Sequence, residues 1–226
     1  MKEVIVTLGA NGSLMAFINA LCNKGDEVVT FCPMFPLYLD HIEMSGAKLN
    51  SVPLEYHDDK WTFNPDTLRA ALSREEAKVL VINTPHNPTG KVFTKDEIQV
   101  ISDILDDCPH VVTLSDEVYD FLTFDGTTHT SFATVGNNWH RTVSIFSGGK
   151  LLNCTGWKVG WSVGPANLIR LGAIIVNATY YTHNMHSQVS IANSLDKAKE
   201  PGYEGELCFS DSVKKLFVEN RDYLMQ

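Results

Sequence analysis

The chain has 226 residues, 44% of them hydrophobic and 20% charged, the balance of a folded domain rather than a disordered segment. A net charge of -9 leaves no basic footprint for nucleic acid and disfavours an anionic membrane surface. No apolar run reaches the roughly 18 residues of a spanning helix, and five scattered cysteines without a CxxC pair argue against a disulfide framework or a zinc site.

Met1-Lys2-Glu3 leads directly into Val4-Ile5-Val6-Thr7, a strand-like run, so no signal peptide is read there. Ser13 to Cys22 carries Leu14, Phe17, Ile18 and Leu21 at helical spacing, and Gly25-Asp26 closes that helix. Val28 to Phe31 is the next expected strand, Leu37 to Met44 a helix and Lys48 to Val52 a strand. Pro65 to Leu72 reads as a helix capped by Asn64, with Pro65 in its first turn. Val79 to Ile82 is wholly apolar, as suits a strand covered on both faces. Thr94 with Glu97 forms a capping box that opens a helix to Leu105. Val111 to Leu114, Thr142 to Phe146 and Val159 to Val163 complete seven expected strands. Asn167 to about Ser194 is helical with a break near His183, and Cys208 to Leu224 is a last helix after a joint at 199–205. This alternation predicts an α/β fold: three layers, αβα, around a mostly parallel seven-stranded sheet. The expected boundaries are a large domain over 1–200, then a joint and the first helix of a second domain over 201–226.

In such sheets ligands gather beyond the carboxyl ends of the strands, and the polar clusters lie at strand ends. Asp116 follows Val111-Val112-Thr113-Leu114, where a carboxylate can pair with a protonated pyridine nitrogen and keep that ring an electron sink. Tyr119 and Asn87 can hydrogen-bond the ring's phenolic oxygen. Lys150, in Ser147-Gly148-Gly149-Lys150, can join a cofactor aldehyde as an imine and then move the substrate α-proton. Gly9-Ala10-Asn11-Gly12 precedes a helix and suits a phosphate, with Ser147 and Lys158 completing that site. Phe35 can stack on the ring face. Taken singly, Asp116 and Asn87 are ordinary turn residues, and Tyr119 and Phe35 ordinary core residues. Gly148-Gly149-Lys150 alone is similar to a phosphate loop, but Ser144 and Leu151 depart from the Walker pattern. His183 and His186 stand three apart without a further ligand, so no metal site is read.

The ordered set resembles the fold-type I aminotransferases that use pyridoxal 5'-phosphate, and among them the kynurenine aminotransferases, also known as glutamine transaminase K or cysteine-conjugate β-lyases. The resemblance rests on Val6-Thr7-Leu8-Gly9-Ala10-Asn11-Gly12-Ser13-Leu14, Gly25-Asp26-Glu27-Val28, Asn83-Thr84-Pro85 with Asn87-Pro88-Thr89-Gly90-Lys91-Val92-Phe93, Asp116-Glu117-Val118-Tyr119, Ser147 with Lys150, and Thr155-Gly156-Trp157-Lys158-Val159-Gly160-Trp161. It implies a Schiff base on Lys150, Asp116 on the pyridine nitrogen, and Asn87 and Tyr119 on the phenolic oxygen. Ser147, Lys158 and the Ala10-Asn11 backbone would bind phosphate, Phe35 would stack, and Asn83 would stand near the substrate or behind the site. Lys158, where many aminotransferases carry Arg, fits the kynurenine branch. The implied reaction is transamination between an amino acid (kynurenine, glutamine or another aromatic or neutral one) and a 2-oxo acid, in a cytoplasmic or mitochondrial homodimer. The alternatives are β-lysis of cysteine conjugates and a catalytically silent core with an assembly role.

Three departures bear on substrate choice: Asn11 replaces an aromatic, His86 an Asn, and Leu151-Leu152-Asn153 a Thr-Phe-Ser type stretch. Family members are also much longer. Their upstream part gates the site and gives a tyrosine to the neighbouring subunit's phosphate. Their downstream part carries the arginine that clamps the substrate carboxylate, and Arg69, Arg74, Arg141, Arg170 and Arg221 do not stand at that place.

Overall fold

The computed structural model describes residues 2–202 and 207–226, so Tyr203, Glu204 and Gly205 of the expected joint lie outside the described residues. All seven expected strands form: β1 (Val4–Leu8), β2 (Glu27–Cys32), β3 (Lys48–His57), β5 (Ala77–Asn83), β6 (Val112–Asp116), β7 (Thr142–Ser147) and β8 (Val159–Val163). An eighth strand, β4 (Lys60–Phe63), adds to them. It pairs antiparallel with β3 through a two-residue turn at Asp58-Asp59, both at positive φ. That geometry is usually announced by Asn-Gly or Asp-Gly, and two aspartates carry a weaker signal. Trp61 and Phe63 on β4 pack against the core, and Phe63 meets Phe31 edge-on with ring centroids 5.3 Å apart.

The sheet order is β1-β8-β7-β6-β5-β2-β3-β4. The central strands β3, β2, β5, β6 and β7 run parallel. β8 turns back antiparallel on β7, and β1 pairs antiparallel with β8. The carboxyl ends of β1, β5, β6 and β7 and the amino end of β8 therefore share one edge.

Helices α1 (Gly9–Leu21), α2 (Leu37–Ser45) and α6 (Ala166–Thr179) cover one face, and α3 (Pro65–Leu72) and α4 (Lys95–Asp106) the other. β5 shows why its run is apolar throughout: Leu80 and Ile82 enter one core, Val79 and Val81 the other, all without exposure. The α4 capping box and the Asn64 cap of α3 form as expected. The break near His183 also forms. Tyr181 adopts a positive φ, and Asn184 then caps α7 (Met185–Lys197) by accepting from Ser187 N at 3.0 Å. α1 begins at Gly9, four residues before its apolar periodicity does. Glycine and asparagine favour helix poorly, so packing of this turn against β8 overrides local preference. Two further helices are α5 (Gly148–Leu151) and α8 (Phe209–Leu224). Among the described residues, no helix is long and apolar enough to cross a membrane.

Candidate active site

The shared strand edge opens on a cavity of about 190 Å³. Ala10, Asn11, Phe35, Asn83, Asn87, Asp116, Tyr119, Ser147, Lys150 and Lys158 all line it. Asp116 ends β6 and stands in register with Asn83 at the end of β5. Ser147 ends β7 opposite Gly160. Lys158 precedes its strand instead of following one, and reaches the same edge because β8 runs antiparallel.

Asp116 is 5% exposed. Its Oδ2 accepts a hydrogen bond of 2.6 Å from Tyr38 Oη, while Oδ1 is buried with no partner among the described residues. Burial pushes its carboxyl up to about 6, against the opposing pull of the Tyr38 hydroxyl, the Val118 N–H and the Lys150 ammonium. Asn83, 4% exposed, spends its amide on its neighbours: Nδ2 donates to Asp116 O at 2.9 Å and Oδ1 accepts from Asn87 N at 2.7 Å. It thus locks the ends of β5 and β6 and holds the turn that presents Asn87.

Lys150 is half-buried in the one-turn helix α5, with Nζ 5.4 Å from the centre of the Tyr119 ring. Ser147 caps this turn by accepting from Lys150 N at 3.3 Å, which leaves its hydroxyl hydrogen to donate into the cavity. The two glycines before Lys150 answer to packing: a Cβ on Gly149 would stand 2.8 Å from Thr155 Cα, and one on Gly148 2.8 Å from Ile191 Cγ2.

α1 has no side-chain cap at Leu8 and no acidic residue in its first turn. The N–H groups of Gly9, Ala10 and Asn11 have no intrahelical acceptor and add to the positive end of the helix dipole. Lys158 stands beside this terminus at φ 53, an uncommon left-handed backbone for a residue with a side chain. One end of the cavity is thereby positive and rich in donors, and the other carries the buried carboxylate.

Sequence reasoning missed two supporting residues on α2. Tyr38 is 1% exposed and bonds Asp116, and His41, one turn on, bonds Asn11 Oδ1 through Nε2 at 2.8 Å. The Tyr38 partner lies 78 residues away, beyond any local pattern. His183 is 9% exposed, and neither of its ring nitrogens has a partner among the described residues. No group of three or more His, Cys, Asp or Glu that could hold a metal ion occurs among those residues.

The family profile described as aminotransferase class I and II matches residues 1–226. A kynurenine–oxoglutarate transaminase of Dictyostelium discoideum is 38% identical over 100% of this chain and 53% of its own length. Kynurenine–oxoglutarate transaminase 3 of Mus musculus is 36% identical over 100% of this chain and 50% of its own. The solved N-succinyldiaminopimelate aminotransferase of Mycobacterium tuberculosis superposes with a TM-score of 0.91 at 32% identity, over 99% of this chain and 56% of that one. The chain spans about half the length of the curated relatives it matches. With the profile matching from end to end, this chain belongs to the class I and II aminotransferase family.

Proposed function

We propose that this chain forms the cofactor-binding part of a pyridoxal-phosphate-dependent aminotransferase, which moves an amino group between an amino acid and a 2-oxo acid. The observation that carries the reading is Asp116 Oδ1, a buried carboxylate oxygen without a partner among the described residues, in the same cavity as Lys150 and the uncapped start of α1. A pyridine nitrogen, an aldehyde and a phosphate on one ring match those three features in turn. When bound, the cofactor supplies an aldehyde that joins amines and a ring that takes up electrons from the substrate α-carbon.

The residues would hold the ring from several sides. Asp116 accepts from the ring nitrogen, Asn87 and Tyr119 donate to the ring oxygen, and Phe35 covers a face. Ser147, Lys158 and the α1 amides bind the phosphate. Lys150 would be the amine that meets the aldehyde, and its free amine would take the substrate α-proton and return it. Asn83 keeps Asp116 and Asn87 in place.

The similarity to kynurenine–oxoglutarate transaminases supports kynurenine, glutamine or a related aromatic or neutral amino acid as donor. Exposed apolar side chains at the β1 edge (Val4, Val6), on α6 (Leu171, Ile174) and on α7 (Met185, Val189) support a homodimer. Residues 1–200 form the cofactor domain and 201–226 lead into a second one. Leu216 and Phe217, exposed on α8, support that boundary.

The test is borohydride reduction of the chain in pyridoxal 5'-phosphate, followed by peptide mass mapping and an amino-acid turnover assay. Expected is a cofactor mass fixed on Lys150, with both label and turnover lost in Lys150→Ala. Retained turnover in that variant overturns the reading.

A further inference from the structure

We infer that Tyr38 is a positioning residue of this site: its phenol anchors one oxygen of Asp116 so that the other stays ionised and directed to the ring nitrogen of the cofactor. The inference rests on the proposed function, in which Asp116 meets a pyridine ring.

The geometry carries it. The Tyr38 Oη to Asp116 Oδ2 distance of 2.6 Å lies in the range of O–H donors to carboxylates. Both residues are almost wholly buried, so water does not compete for this bond. A buried carboxylate left to itself takes up a proton, and a protonated Asp116 could not accept from a pyridinium. The charged groups around Asp116 divide: Glu117 favours its proton, while Lys150 disfavours it. Tyr38 adds a hydrogen bond to the ionised form, the largest of the effects opposing burial. The phenol itself is held well above its ordinary value, first by burial and then by Asp116, so it stays a donor.

The placement of Tyr38 is built in as well. Phe35, the ring-stacking candidate, stands three residues earlier and meets Tyr38 edge-on with ring centroids 5.8 Å apart. His41 lies one turn further along α2 and holds Asn11, at the α1 terminus, at 2.8 Å. The first two turns of α2 thus brace Asp116 and the opposite, phosphate-facing end of the cavity, and Tyr38 is the member that touches the carboxylate.

The experiment compares the native chain, Tyr38→Phe and the chain with 3-fluorotyrosine at position 38. Phenylalanine keeps the ring and removes the donor, whereas the fluorinated phenol is a stronger donor of nearly the same shape. Asp116 is followed in the cofactor-free chain by carboxyl carbon NMR, with its signal assigned by its loss in Asp116→Asn. The midpoint should rise in Tyr38→Phe and fall with fluorotyrosine. With ring-labelled pyridoxal 5'-phosphate, the pyridine nitrogen signal should move toward the neutral form in Tyr38→Phe. Cofactor affinity should drop about 10-fold, as expected for losing a hydrogen bond to a charged group. A merely structural Tyr38 would leave the Asp116 midpoint and the nitrogen signal unmoved by either change, and that result overturns the inference. An Asp116 midpoint that follows Tyr38 in both directions supports the inference even in a chain that takes up no cofactor. Absence of cofactor uptake by the native chain overturns the proposed function instead.

Discussion

Asp116 works against the stability of the chain that carries it. Its carboxyl is raised from 3.8 to about 6, so the folded state holds the proton more tightly than the unfolded state does. The resulting stabilisation is complete below pH 3.8 and is lost as pH rises through about 6. At neutral pH the ionised, buried carboxylate is a net cost that Tyr38, the Val118 N–H and Lys150 offset only in part, and a cationic ligand would relieve it further. Asp116→Asn should therefore make the cofactor-free chain more stable at pH 7.5, by on the order of 1–3 kcal/mol. The gain should vanish below pH 4, and pyridoxal 5'-phosphate affinity should fall sharply. Urea unfolding at the two pH values, with a cofactor titration beside it, checks both halves. A variant no more stable at pH 7.5 would show that Asp116 is better satisfied than its unpartnered oxygen indicates. At this scale the sequence was highly legible, since all ten residues read from it line one cavity. Each follows or precedes a short strand and sits in a cluster rich in Gly, Pro or polar residues, which is a local signal. Tyr38 and His41 had no such signal. Both lie within a helix, and their importance comes from partners on other elements.

At the scale of elements, the proposed phosphate end of the cavity depends on how closely α1 approaches β8. A Cβ on Gly160 would stand 2.5 Å from Gly9 C, 2.6 Å from Ala10 N and 2.8 Å from Phe146 O. All three are backbone atoms, so no side-chain rotation relieves the clash. Gly160→Ala should push the start of α1 away from the sheet and destabilise the chain by about 1–3 kcal/mol. The loss of affinity should also be larger for pyridoxal 5'-phosphate than for pyridoxal, because the displaced amides are those proposed to hold the phosphate. Equal losses for the two ligands, measured by absorbance titration, would remove α1 from the phosphate site. Local patterns placed the principal strands and helices, but not the one-turn α5, the start of α1 or strand β4. The start of α1 contains residues that disfavour helix and is held by this contact. Strand β4 is only four residues long, and its aromatic side chains become informative only once Phe31 and Phe93 are beside them.

For the whole molecule, the sheet gathers side chains from six strand ends, with Phe35 following β2, and neither layer of helices blocks that edge. A ligand that fills this cavity binds the folded chain alone and should stabilise it by mass action. At a cofactor concentration of about 100 times Kd the gain is roughly 2.7 kcal/mol. Thermal melts with increasing pyridoxal 5'-phosphate should show a continuous rise in midpoint, absent in Asp116→Asn. An equal rise in that variant would mean that the cofactor stabilises the chain from somewhere other than this cavity.

The sequence by itself determined the alternation of strands and helices, the apolar strands of a covered sheet and the polar residues at their ends. These are local properties, set by side-chain periodicity and by the few residue types that allow sharp turns. Only the tertiary structure decided that β8 runs backwards and so delivers Lys158 to the edge where the other strands end. It alone decided that α1 starts at Gly9 against a glycine in β8, and that Tyr38 leaves one oxygen of Asp116 free. Strand direction, close backbone approach and the satisfaction of a buried charge depend on groups far apart in the chain, and those meet only when the fold is complete.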